Sequence, residues 1–200
     1  MNQYRKVKPE DEIPVRMLTD NSVRGRITKS KNLAVPKKGQ KALMKINSLF
    51  DDELLTTEKI TELYRLVDVY LDSILVDMTV CAKGCAQCCH VMTDVSYPEA
   101  LYIEEMTDHV IKYDRDAERA DRCGFLSDDN LCTIREFRPL VCRMFHAVDH
   151  YRECVDDNEH MIFSISSNPL IGNIQYSLGK IKHPLLGVGM ADLKRWFGKC

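Results

Sequence analysis

Cys81-Ala-Lys-Gly-Cys85-Ala-Gln-Cys88-Cys89 places four thiols in nine residues. Wound as a helix at about 100° per residue, all four would share one face. Cys81 and Cys89 would then stand about 12 Å apart along the axis. One metal ion cannot span that distance, so the segment either serves two centres or curls as a loop. Gly84 permits a curl. Neighbouring side chains diverge in a regular backbone, so Cys88 and Cys89 can face different centres. Cys123, Cys132, Cys142 and Cys154 follow at wide intervals, and Cys200 stands apart as a small hydrophobe.

The rest of the chain says what surrounds these thiols. Its 200 residues are 44% hydrophobic and 29% charged, the mix of one globular domain with or without a tail. No run approaches 18 apolar residues, which argues against a membrane protein. The opening Met1-Asn-Gln-Tyr-Arg-Lys-Val-Lys8 lacks the apolar core of a secretory signal, so a cytoplasmic location is expected. There, clustered thiols point to metal before disulfides. Zinc takes four thiolates tetrahedrally. A cubane 4Fe–4S cluster takes one per iron. The long, uneven spacings differ from the paired C-x2-C of zinc knuckles. An iron–sulfur cluster is therefore the expected cofactor, with zinc as the alternative or a second metal.

Charge divides the chain. Residues 1–48 hold 12 Lys and Arg against 4 Asp and Glu; residues 49–200 hold 16 against 26. The first segment contains Pro9, Pro14, Pro36 and the basic cluster Lys37, Lys38, Lys41 and Lys45, with few large apolar groups. It reads as an extended basic arm, residues 1–48, able to contact a nucleic acid or an acidic protein. Tyr4 is its one aromatic residue for stacking on bases, and a solubilising tail is the plainer reading.

Residues 49–200 read as a mainly α, small irregular helical domain organised around a cysteine-ligated metal centre. Ile60, Leu63, Tyr64, Val67, Tyr70, Leu71, Ile74, Leu75 and Met78 recur at helical spacing, with Thr56 or Thr57 as the cap. Ser96-Tyr97-Pro98-Glu99 is a capping box that opens a second helix, with Ile103, Met106, Val110 and Ile111 expected as its buried stripe. The charged run 114–122 reads as a solvated helix end or loop. Residues 161–165 suggest a short strand, and residues 191–197 a short helix bearing Trp196. Asn168-Pro169 and His183-Pro184 break the chain. No alternation of strand and helix appears, and metal is expected to replace part of the core.

Around Cys142, Pro139 can start a helical turn and bring the thiol near exposed backbone N–H groups. Arg138 and Arg143 bracket it and are expected to bind the cofactor indirectly, by offsetting thiolate charge. His90, His146 and His150 are expected beside the metal and not on it. Gly187-Val-Gly189 lacks the strand and third glycine of a dinucleotide site.

Cys81-x3-Cys85-x2-Cys88-Cys89, Cys123-x-Phe125-Leu126, Cys132-x-Ile134-x3-Arg138-Pro139-x2-Cys142-Arg143 and a final Cys154 together resemble the YkgJ-type cysteine-cluster family of zinc- or iron-chelating proteins. The resemblance covers residues 81–154. It implies metal ligation by Cys81, Cys85, Cys88, Cys89, Cys123, Cys132, Cys142 and Cys154. Arg135 departs from the tyrosine usual after Ile134. The family has no single settled activity. A structural or redox metal-binding module is the leading expectation. The alternative is an enzyme: an oxidoreductase, a relative of the flagellin lysine methylases, which carry a related cysteine pattern, or a radical-SAM-like protein. Cys81-x3-Cys85-x2-Cys88 matches radical-SAM spacing, but no βα barrel repeat follows and the other cysteines would be unexplained. A nucleophilic Cys142 beside Arg143 and His146 is a further option, but a metal-bound thiolate is no free nucleophile. An enzyme needs an open metal position or a substrate pocket; a module needs neither.

Overall fold

A computed structural model describes residues 33–50, 55–76, 78–81, 84–117, 122–148, 154 and 161–198. The fold is mainly α, with six α-helices and two two-stranded antiparallel sheets among the described residues. No helix among them is long and apolar enough to cross a membrane.

Helix α1 (Lys37–Ser48) corrects the first expectation. Residues 1–32 lie outside the described residues, but residues 37–48 are not extended. Lys37, Lys38, Lys41 and Lys45 are exposed, while Ala42 and Ile46 are buried. The lysines mask an apolar stripe with helical spacing. That stripe packs on α2 (Thr57–Leu75), and Gly39 sits so close to Ser73 that a Cβ there would collide with its side chain. In α2, the Thr56 side chain accepts from Lys59 N at 3.3 Å, as the sequence predicts. Ile60, Leu63, Tyr64, Val67, Tyr70, Leu71, Ile74 and Leu75 are all buried, and Met78 is buried just beyond the helix end.

Strand β1 (Asp94–Ser96) leads into α3 (Tyr97–Met106) through the expected capping box. The helix is shorter than its predicted stripe. Ile103 is buried, but Met106 and Val110 are exposed and Ile111 only packs against the core edge. Local polar bonds end it. Thr107 Oγ1 donates to Ile103 O at 2.7 Å, Thr107 Oγ1 accepts from His109 N at 3.2 Å, and Glu104 accepts from Ile111 N at 2.6 Å. These side chains offer the backbone partners outside the helix ladder.

The remaining elements are short. They are α4 (Leu140–Met144), β2 (His146–Ala147), β3 (Ile162–Phe163), α5 (Pro169–Lys180), β4 (Met190–Asp192) and α6 (Leu193–Phe197). Strand β1 pairs with β4, and β2 with β3. Helix α5 was not expected. Asn168 caps it, accepting from Leu170 N at 3.1 Å and Ile171 N at 3.3 Å, with Pro169 at its first position. Gly189 belongs to packing: a Cβ there would collide with the Gly179 carbonyl.

Two hydrophobic cores result. One lies among α1, α2, α4 and α5. The other surrounds fully buried Trp196, whose Nε1 donates to Val95 O at 2.9 Å. Glu99 joins the elements. Its side chain is fully buried. Oε1 accepts from Tyr64 of α2 at 3.2 Å and from Leu140 N of α4 at 2.8 Å. Oε2 accepts from Gln175 of α5 at 3.0 Å, Ser96 N at 3.2 Å and Ser96 Oγ at 2.7 Å. Removing this acceptor leaves several buried donors unmet, each costing about 1–3 kcal/mol. Glu99→Ala is therefore expected to lower stability by at least about 3 kcal/mol and Tyr64→Phe by about 1 kcal/mol, read from urea unfolding followed by Trp196 fluorescence.

Candidate metal centre

The first cysteine group curls, as Gly84 allows. Gly84 has φ +90°, and Gln87–His90 forms a 3-10 turn in which Cys89 N donates to Ala86 O at 2.8 Å. The backbone ties this turn to the second group, because Cys123 N donates to Cys89 O at 2.8 Å. From Cys123 the chain folds back on itself. Ser127 N donates to Leu131 O at 2.9 Å, Thr133 N donates to Phe125 O at 2.8 Å, and Asn130 takes φ 57° at the tip. Cys123 and Cys132 both pack against the Trp196 core. Cys142 comes from α4.

These turns bring six of the predicted ligands together. Cys85, Cys88, Cys89, Cys123, Cys132 and Cys142 line one cavity of about 360 Å³. Apolar groups including Met92, Phe125, Ile134 and Phe145 complete its wall. Among the described residues, no three His, Cys, Asp or Glu side chains converge on one ion-sized point; the thiols surround the cavity. Cys81 stands elsewhere. Its Sγ accepts from Ala147 N at 3.4 Å, and it lines a second, adjacent cavity. Cys154 is a half-buried helical residue, while His150 and Cys200 lie outside the described residues.

Burial sets most of the thiol chemistry. It pushes the Cys81, Cys132 and Cys142 thiols up, and the Arg138 charge opposes this at all three. Cys88 is different. The hydrogen bond from Cys89 lowers its thiol to about 7 despite burial, with help from Arg138. Cys89, the donor in that bond, is raised in consequence. The Arg138 charge thus favours the thiolate form at Cys81, Cys88, Cys132 and Cys142. The Arg138 Nε is buried with no hydrogen-bond partner among the described residues.

Arg143 does not share that role. It stacks on Tyr64, with Cζ 4.3 Å from the ring centroid, and pairs with Asp68 at 2.6 Å. Its remaining nitrogens bond the carbonyls of Arg138, at 2.8 Å, and Glu136. Neighbours on a helix point about 100° apart, so Cys142 and Arg143 face different surroundings. Arg143 fastens the chain before Cys142 to α2. The turn at Pro139 also differs from expectation. Leu140 N–H, at the start of α4, is engaged by Glu99, and burial raises the Cys142 thiol.

His146 supports Cys81 without presenting a ring nitrogen to metal. Nε2 lies 2.9 Å from Arg143 O and Nδ1 lies 3.3 Å from Thr79 Oγ1, which itself accepts from Cys81 N at 3.1 Å. His90 is exposed. Glu99, Thr79 and Asp68 are the positioning residues that sequence reasoning missed. Only Glu99 carried a signal, its place in the capping box.

The donor set suits a thiolate-bound metal. Soft thiolates favour zinc and iron–sulfur centres, and the buried Arg138 Nε supplies positive charge beside them. Residues 80–164 match a family model described as "CxxCxxCC: Putative zinc- or iron-chelating domain". This is the cysteine-cluster family that the motif resembles, and the match supports metal binding by this domain in general. No curated protein and no solved structure matches the chain.

Burial lowers the imidazole of His146 to about 4. The native state therefore binds fewer protons than the unfolded state, whose histidine titrates near 6.5. The stabilisation is complete above that value and is lost as pH falls from 6.5 towards 4. Between pH 7 and pH 4.5, the chain is expected to lose about 2–3 kcal/mol more stability than His146→Gln, measured by urea unfolding at both pH values.

Proposed function

We propose that this chain is a cysteine-rich metalloprotein that holds an iron–sulfur cluster in the cavity lined by Cys85, Cys88, Cys89, Cys123, Cys132 and Cys142. The observation that carries this reading is the number of thiols around one cavity. A mononuclear zinc site uses four ligands at about 2.3 Å. Six thiols around about 360 Å³ exceed that set and suit a polynuclear group. Such a cluster would supply one-electron chemistry or structural cross-linking. The protein supplies thiolates, the Arg138 charge and an apolar wall that limits water.

Residues 1–48 are proposed to contact a nucleic acid or an acidic protein. In support, Lys37, Lys38, Lys41 and Lys45 of α1 are all exposed, while Ala42 and Ile46 are buried. Binding of this kind weakens steeply with salt.

The test is anaerobic purification of the full chain, with absorption, iron, zinc and sulfide measured on one sample. Broad absorbance near ~400 nm with iron and sulfide is expected. A colourless protein carrying zinc alone would overturn the cluster. Cys88→Ser, Cys123→Ser and Cys132→Ser should each lose most of the bound metal, and Cys200→Ser should keep it.

A further inference from the structure

The turn between α5 and β4 takes no part in the thiol cavity. Within it, residues 180–182 and 184–187 are all exposed. Leu185 is 90% exposed and Leu186 42%. A Cβ on Gly187 would meet nothing within 4 Å, so the tip projects into open space. One exposed leucine is ordinary. Here Ile181 and Met190 at the base of the turn, and Tyr176 on α5, are exposed as well. Clustered exposed apolar groups mark a contact surface.

The fold holds this tip in place. Gly189 lies against the Gly179 carbonyl, where a Cβ would collide, and this closes the base of the turn. His183 N donates to Val188 O at 2.8 Å, and Gly187 N donates to His183 O at 2.9 Å. His183 Nδ1 accepts from Leu185 N at 3.1 Å and Leu186 N at 3.2 Å. The His183 ring packs on Tyr97, with centroids 4.9 Å apart. The leucines are therefore presented in a fixed shape, and binding costs little further ordering of the backbone.

Charge and shape say what the tip meets. The chain has 30 Asp and Glu, yet residues 160–191 contain none. Their two cations are Lys180 and Lys182, both exposed beside the tip. The nearest carboxylate in sequence, Asp192, is occupied by Thr93 N and Lys194 N. Lys180 Nζ sits 4.4 Å from the centroid of the Tyr176 ring. Projecting leucines with lysines and a tyrosine behind them match the layering of a lipid interface. A bilayer also accepts a convex apolar tip without a matching pocket. We infer that Pro184-Leu185-Leu186 enters the surface of an anionic phospholipid bilayer, with Lys180 and Lys182 at the headgroup phosphates. Contact of this kind needs no membrane-crossing helix. It is independent of the metal centre.

The test is co-sedimentation of the anaerobically purified full chain with phosphatidylcholine vesicles, with and without phosphatidylserine. Binding should be tighter to the vesicles that contain phosphatidylserine. Residues 1–48 are basic and can also attract such vesicles, so variants of the tip decide. Leu185→Gln should weaken binding by about tenfold or more. Lys180→Gln combined with Lys182→Gln should weaken it by about tenfold. These side chains are exposed, so the variants should keep the wild-type urea midpoint. Leu185→Trp should shift its emission to shorter wavelength on the vesicles, above a constant signal from buried Trp196. No binding at millimolar lipid, binding indifferent to Leu185→Gln or to the lysine variant, or binding without the emission shift would each overturn the inference. A wild-type dimer that Leu185→Gln converts to monomer would also overturn it, by assigning the tip to a second copy of the chain.

Discussion

A fully buried carboxyl is the constraint on which this structure depends. Taking Glu99 out of water costs several kcal/mol unless its oxygens are met. Five hydrogen bonds meet them, from α2, α4, α5 and Ser96 at the end of β1. Because one of those bonds is to Leu140 N, the carboxyl also sets where α4 starts. Cys142 lies two residues further on. The same interaction that closes the core therefore places a candidate metal ligand.

The rest of the site follows the same logic. Cys123 and Cys132 pack on the Trp196 core, and the Cys89 carbonyl holds the Cys123 backbone. Arg143 ties the Arg138 carbonyl to Asp68 and stacks on Tyr64, itself a Glu99 donor. Arg138 is left to serve two cavities. The fold thus uses one arginine as a fastener and its near neighbour as a charge source. Metal bound at the thiols would join segments that have little regular structure of their own, so binding and folding would be coupled.

Much of this was legible where the signal is local. The α2 stripe repeats over five turns, and Ser96-Tyr97-Pro98-Glu99 contains its own capping partners. Gly84 announced the curl that gathers Cys85, Cys88 and Cys89. Other elements were masked. Lysines hid the apolar face of α1, Gly172 and Gly179 diluted α5, and two- or three-residue strands carry too short a pattern to read. Long-range contacts were not legible at all. Nothing local separates Cys81 from Cys85, yet they line different cavities. Arg138 and Arg143 bracket Cys142 in sequence, but tertiary contacts send them to different partners.

The central claim is that thiolates alone surround one polynuclear centre. X-ray absorption at the metal edge of the anaerobically purified full chain tests it most directly. The account predicts a sulfur-only first shell at about 2.3 Å with a neighbouring metal atom beyond it. A first shell containing nitrogen or oxygen, or sulfur ligands with no second metal, would contradict it.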